Sequence, residues 1–253
     1  MKYYVVSDIH GFYKEMIESL KEKGFFEDKE PHKLIICGDL LDRGKEIDEL
    51  VKFVLDLMKN DEVILIRGNH EDLLLDLADN IYKYLPNPDY THHGQNGTFK
   101  TALSLAKMTK TRMQIDPENF QSRVYSSLFV RRIIPKMVDY FETDNYIFVH
   151  GWIPCYIEPY NHMENKYIYR SNWRKCGVKE WTDARWINGM AAHKWGVKEN
   201  EKTIVCGHYH SQWGHQVFEG KKDDFSPYYD EGIIAIDGCT AYTRMVNCIV
   251  IED

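Results

Sequence analysis

Three short apolar runs near the start of the chain end in the same way, and this repetition constrains the fold more than any other feature. Tyr3–Ser7 runs into Asp8-Ile9-His10-Gly11, Lys33–Cys37 into Gly38-Asp39-Leu40-Leu41-Asp42-Arg43-Gly44, and Glu62–Ile66 toward Gly68-Asn69-His70-Glu71. Asp8 and Asp39 are 31 residues apart, and Asp39 and Asn69 are 30 apart. Between the runs lie amphipathic stretches. Phe12–Lys23 carries Met16, Ile17 and Leu20, and Ile47–Met58 sets Ile47, Leu50, Val51, Val54, Leu55 and Met58 on one face. A third helix is predicted over His70–Tyr84, stopped by Pro86 and Pro88. The pattern is βαβαβ, which implies an α/β fold with parallel strands covered by helices. Parallel strands carry all three polar clusters to one carboxyl edge, where open α/β sheets place their sites.

Residues 85–145 lack strand signals. Phe99–Met108 and Phe120–Tyr140 read as helical pieces, the second interrupted by Pro135, and THHGQNGT reads as a loop. We therefore expect one domain over 1–253 with a mainly helical insertion at about 85–145. Later strands are predicted at Tyr146–Val149, Thr203–Cys206, Gln216–Phe218, Ile233–Ile236 and Val246–Ile251, separated by turns, in a mixed or antiparallel second sheet. The segment from Trp152 to Trp195 reads as irregular. It holds five tryptophans (Trp152, Trp173, Trp181, Trp186 and Trp195), better suited to core packing than to an aromatic wall.

Composition narrows the setting. The 253 residues carry a net charge of −7, which argues against extended nucleic-acid contact but not against a phosphorylated substrate. No apolar run approaches the ~20 residues of a membrane span, and no signal-peptide pattern opens the chain. We expect no membrane association and a cytoplasmic location. Cys37, Cys155, Cys176, Cys206, Cys239 and Cys248 show no C-x-x-C pairing, and most read as buried thiols of a reducing compartment.

Two more apolar runs end in ligand-type residues: YIFV in His150-Gly151, and TIVC in Gly207-His208-Tyr209-His210. Carboxylate, imidazole and amide oxygen suit manganese, iron, zinc or similar divalent ions. No thiolate joins the set, so a structural zinc knuckle is not expected. The count exceeds what one ion with open positions needs. Two ions sharing a carboxylate fit it better.

The series SDIHG, GDLLDRG, GNHE, VHG and GHYH resembles the calcineurin-like metallophosphoesterase superfamily, from residue 4 to about 215. Its GDLLDRG and GNHE forms resemble the phosphoprotein phosphatase branch (serine/threonine phosphatases, bacterial and phage type). Symmetrical diadenosine tetraphosphate hydrolases share those motifs. The resemblance implies a four-layer α-β-β-α sandwich with two metal ions between the sheets, manganese first, with iron, zinc or nickel as alternatives. Asp8 and His10 would hold the first ion, Asp39 would bridge, and Asn69, His150 and His208 would hold the second. His210 would complete the first site, although the branch often carries other residues there. A second arginine is expected about two dozen residues before the Gly-His motif. Arg185, 23 residues before His208, is the choice, with Arg170 and Arg174 in reserve. HHGQNGT resembles a GG-x-x-T segment, which would bring His92, His93 and Asn96 to the cleft.

The chemistry follows from the groups. A phosphate ester resists attack because its oxygens are negative. Two divalent ions neutralise that charge and help a bridging water lose a proton, and the hydroxide attacks phosphorus in line. His70 is the candidate general acid for the leaving alkoxide, Asp42 would hold it protonated, and Arg43 would clamp phosphoryl oxygens. Glu71 is expected to pair at the start of its helix rather than bind metal. The expected activity is phosphomonoester hydrolysis of the serine/threonine phosphoprotein phosphatase type, on a phosphorylated protein or a small phosphoester. The rivals are a nucleotide pyrophosphohydrolase, such as one cleaving diadenosine tetraphosphate, and a non-catalytic metal-bound scaffold.

Overall fold

The computed structural model describes residues 1–160 and 165–253; the four residues between fall within the tryptophan-rich segment. The first half follows the predicted beat: β1 (Lys2–Val6), α1 (Tyr13–Glu22), β2 (His32–Cys37), α2 (Ile47–Lys59), β3 (Val63–Ile66) and α3 (Asn69–Asp79). The stretch after α3 is helical: α4 (Ile81–Tyr84), α5 (His92–Asn96), α6 (Thr98–Ala106), α7 (Lys110–Ile115), α8 (Pro117–Ser126), a π-helical turn at Phe129–Ile133 and a 3-10 turn at Ile134–Lys136. There follow β4 (Phe141–Glu142), β5 (Tyr146–Phe148), the hairpin β6 (Tyr156–Pro159) and β7 (Asn165–Ile168), α9 (Val178–Ala184), α10 (Gly189–Lys194) and β8 (Thr203–His210). The chain closes with α11 (Ser211–Glu219), β9 (Tyr228–Asp230), β10 (Ile233–Asp237), α12 (Thr240–Thr243) and β11 (Cys248–Glu252).

The strands form two main sheets, ordered β11-β1-β2-β3 and β4-β5-β8-β10-β9. In the first, β1, β2 and β3 run parallel and β11 adds antiparallel to β1. In the second, β5, β8 and β10 are parallel, with antiparallel β4 and β9 at the edges. The mixed second sheet expected from the sequence is present, but the run predicted as its last strand, Val246–Ile251, joins the first sheet instead, as β11 beside β1.

Strand alternation explains the layers. Tyr3, Val5, Ile35, Cys37, Phe148, Val205 and Ile236 point into one shared core between the sheets. Their neighbours Tyr4, Val6, Leu34 and Ile36 turn outward, onto Met16, Leu20, Leu50 and Leu74 of α1, α2 and α3 and onto the helices that follow. Ile147, Ile204, Cys206 and Ile233 turn the other way, onto Trp152, Trp173, Trp181 and Met190. The result is an α-β-β-α sandwich, with the tryptophan-rich segment supplying much of the second outer core.

Four local expectations are corrected. Gln216–Phe218 is helix, not strand: Ser211, Gly214 and His215 are buried at helical spacing, and α11 stops at Gly220 with φ +70°. The predicted loop over residues 91–98 is largely α5, started by Thr91, whose hydroxyl accepts the Gly94 N–H at 3.1 Å. The piece predicted over Phe120–Tyr140 breaks at Ser126, before the π and 3-10 turns. The stretch read as irregular holds the β6–β7 hairpin and helices α9 and α10. Among the described residues no helix is long and apolar enough to cross a membrane.

Candidate active site

The carboxyl ends of β1, β2, β3, β5 and β8 meet at one edge of the sandwich. The chain leaves three of these strands through left-handed turns. Asp8 (φ 52°), His10 (51°), Asp39 (55°), Asp42 (77°), Arg43 (63°) and His208 (66°) all sit in the region that favours glycine. The turns stack closely. A Cβ on Gly38 would come within 2.6 Å of His150 Nδ1, and one on Gly207 would overlap the Asp8 carboxylate.

Asp8, His10, Asp39, Asp42, Asn69, His70 and His150 are all buried. Two groups of donor atoms lie within 4.8 Å of one another: His10, Asp39 and His70, and Asp39, His150 and His208. Asp39 belongs to both. Its Oδ2 lies 3.8 Å from His10 Nε2, and its Oδ1 lies 3.3 Å from His150 Nε2. Asp8 Oδ1 is 4.0 Å from His10 Nε2.

Hydrogen bonds fix which atoms face inward. His150 Nδ1–H donates to the Cys37 carbonyl at 2.7 Å, which leaves a lone pair on Nε2 2.8 Å from Asn69 Oδ1. His10 Nδ1–H donates to the Leu41 carbonyl at 3.0 Å, again freeing Nε2. Burial pushes His10 well below the usual imidazole range and His208 down to about 3, so both are neutral. Burial opposes ionisation of Asp39, but the imidazoles of His150 and His70 overcome it and hold the carboxyl low. Ring nitrogens and carboxylate oxygens thus converge at the strand ends, with His10 and His208 in the neutral form that divalent cations require. The donor set fits metal.

His70 is held differently. Its Nδ1–H donates to Asp42 Oδ2 at 2.6 Å, and the Thr98 hydroxyl donates to that same oxygen at 2.8 Å. Burial pulls its pKa down, yet the Asp39 and Asp42 carboxylates raise it to about 9. The exposed Arg43 donates from Nη1 to His10 Nε2 at 2.8 Å, and its Nη2 lies 3.4 Å from His70 Nε2. Asp8, His10, Asp39, Arg43, Asn69, His70 and His208 line a cleft of about 330 Å³ together with Asn96, Trp186, Tyr209 and His210.

Glu71 bolts two loops together. Its carboxylate accepts the N–H groups of Asp39 (3.1 Å), Leu40 (3.0 Å) and Gly68 (2.8 Å). Burial, with the charge of Asp39, raises its pKa to about 7.

Other expected residues fall elsewhere. Arg185 is turned away from the cleft: Nη1 donates to Asp72 at 2.6 Å and Nη2 to Asp139 at 2.5 Å. Two carboxylates distant in sequence capture it, which spacing from the Gly-His motif does not reveal. Arg170 and Arg174 pair with Glu180 and with Glu142 and Glu199. His210 lines the cleft but stands outside both donor groups, 3.9 Å from Asp237. His93 is buried against Asp76, 2.8 Å away, while Asn96 reaches the cleft.

The sequence reading passed over Thr98 and Asp237. Asp237 is buried at the end of β10, where burial and the charge of Asp8 push its carboxyl well above the usual range. Its signal was present: IIAI followed by Asp-Gly repeats the pattern of an apolar run ending in an acid.

Comparison with known proteins gives the family. The family model of the calcineurin-like phosphoesterases matches residues 1–231, and the chain belongs to that family. The asymmetrical bis(5'-nucleosyl)-tetraphosphatase PrpE of Bacillus velezensis is 32% identical over 118 residues, covering 44% of this chain and 45% of the relative. A symmetrical bis(5'-nucleosyl)-tetraphosphatase of Buchnera aphidicola is 42% identical over 71 residues, covering 28% of this chain and 24% of the relative. The chain thus spans half or less of the length of these relatives. A cold-active protein-tyrosine phosphatase of a psychrophilic Shewanella shares the fold, with a TM-score of 0.52 at 15% identity, covering 100% of this chain and 75% of the other.

Proposed function

We propose that the protein is a metal-dependent phosphoesterase, one catalytic unit over 1–253, with two divalent ions held at the strand ends. Asp8 and His10 would hold one ion, and Asn69, His150 and His208 the other. Asp39 would be shared, and His210 would complete the first. The observation that carries this reading is the membership of Asp39 in two donor groups beside a protonated His70. The ions, manganese first, supply neutralisation of phosphoryl charge and activation of water. His70 gives its Nε2 proton to the leaving oxygen. Asp42 and Thr98 keep that proton in place, and Arg43 clamps phosphoryl oxygens. Six free cysteines support a reducing, cytoplasmic setting.

Replacing His70 with Asn should lower kcat about 100-fold or more on an alkyl phosphate, and much less on p-nitrophenyl phosphate, whose leaving group needs little protonation. Equal losses on both would remove His70 from the acid role.

A phosphomonoester, on a protein or a small molecule, suits a cleft that Arg43 alone among its described lining residues supplies with a fixed cation. A second reading, a dinucleoside polyphosphate, is favoured by Trp186 and Tyr209, each 41% exposed at the cleft wall, and by the names of the relatives. Base stacking on an aromatic ring contributes about 1–3 kcal/mol. If the substrate is a nucleotide, Trp186→Ala should raise KM about tenfold for diadenosine tetraphosphate and leave a phosphopeptide unaffected. Comparing kcat/KM of both substrates in both proteins decides between the readings.

A further inference from the structure

A second cavity shares no residue with the catalytic cleft. It is an open groove of about 900 Å³ between α2 and the helices that follow α3. Its apolar surface comes from Val51, Leu55 and Met58 of α2 and from Leu105, Leu128 and Phe129 facing them. Leu128 is 58% exposed, although apolar. The apolar stripe of α2 is wider than the core it covers, and its far edge opens into this groove.

The charges are uneven. Both acids of the lining are already neutralised, Asp56 by Lys59 at 2.6 Å and Asp48 by Lys107 at 2.5 Å. Lys52, Arg132 and Lys136 remain, and among the described residues none of them forms an ion pair. The protein as a whole carries −7, so this is a positive, partly apolar patch on a negative molecule. Arg132 is presented by the π-helical turn Phe129–Ile133, a distortion that recurs at functional positions.

We propose that this groove docks an acidic segment of a partner protein, anchored by two or three apolar side chains. Apolar anchors would cover Leu55, Leu105 and Leu128, and carboxylates would meet Lys52, Arg132 and Lys136, in the helix-in-groove manner. An acidic chain is repelled by the rest of the surface and steered to this face, so complementarity selects the partner as well as holding it. A concave site of this volume matches a folded segment better than a flat lipid surface.

The test uses the full chain and a short labelled peptide with Leu and Glu at helical spacing, against its Leu and Lys counterpart, followed by fluorescence anisotropy. The acidic peptide should bind and weaken with added salt. The variant K52E/R132E/K136E should lose about tenfold or more in affinity, as expected when several charge pairs are reversed. Leu128→Ser should weaken binding while keeping the salt dependence. Hydrolysis of p-nitrophenyl phosphate should be unchanged in each variant, which also reports that it folds. Equal binding of both peptides, or unchanged binding after charge reversal, overturns the proposal. So does self-association that charge reversal abolishes, because the occupant would then be a second copy. Binding to phosphatidylserine vesicles with none to the peptide overturns it as well.

Discussion

A histidine can pass a proton to a leaving oxygen only if something keeps it charged at working pH. For His70 that task falls on one oxygen of Asp42, which accepts from the imidazole and from Thr98. Removing the carboxylate charge should lower the pKa of His70, so the basic limb of the pH–rate profile moves to lower pH. We expect Asp42→Asn to shift that limb and reduce kcat about tenfold or more, and Thr98→Val, which keeps the charge, to do less of both. Profiles of the three proteins check this; an unmoved limb in Asp42→Asn would detach Asp42 from His70. At this scale the sequence is informative where chemistry and strand-end position coincide, as at Asp8, Asp39 and Asn69. It is weaker at Thr98, which reaches Asp42 across 56 residues. It misleads at Arg185, whose partners Asp72 and Asp139 are set by tertiary packing.

Elements are held by fewer contacts than cores, and β4 is an instance. Glu142 in this two-residue strand accepts from Arg174 and pairs with Lys202 at 2.9 Å. The Arg174 hydrogen bonds, against some burial and with help from Lys202, lower its pKa to about 2. A folded value below the unfolded one means that stability is fully present above about pH 4.5 and is lost as pH falls toward 2. The pair is partly exposed, so its contribution is roughly 1 kcal/mol. Urea unfolding at pH 6 and pH 3 should show Glu142→Gln losing less stability on acidification than the wild type; an equal loss would mean the pair contributes nothing. Elements with a clear period were legible in the sequence, such as α2 and β1–β3. Short apolar runs were not: Gln216–Phe218 fits strand and helix alike until Ser211, Gly214 and His215 are seen to share a buried face.

At the scale of the molecule, the proposed ligands come from both sheets: Asp8, His10, Asp39 and Asn69 from the first, His150 and His208 from the second. Ions bound between them would cross-link the halves of the sandwich. A divalent ion at 100 times its Kd stabilises by about 2.7 kcal/mol, so manganese should raise Tm, and Asp39→Asn should abolish most of that rise. A rise of the same size in the variant would exclude a shared ligand. The two-sheet architecture was legible because the strand ends repeat. The second outer layer was not, because its tryptophans pack without a period. The left-handed turns carry a different consequence. Asp8, His10, Asp39, Asp42, Arg43 and His208 each hold a backbone shape that costs on the order of 1 kcal/mol for a side-chain-bearing residue. Arg43 alone among the six is exposed, so a library of variants ranked only by heat resistance would enrich glycine there, trading away the phosphoryl clamp while its melting curves improved.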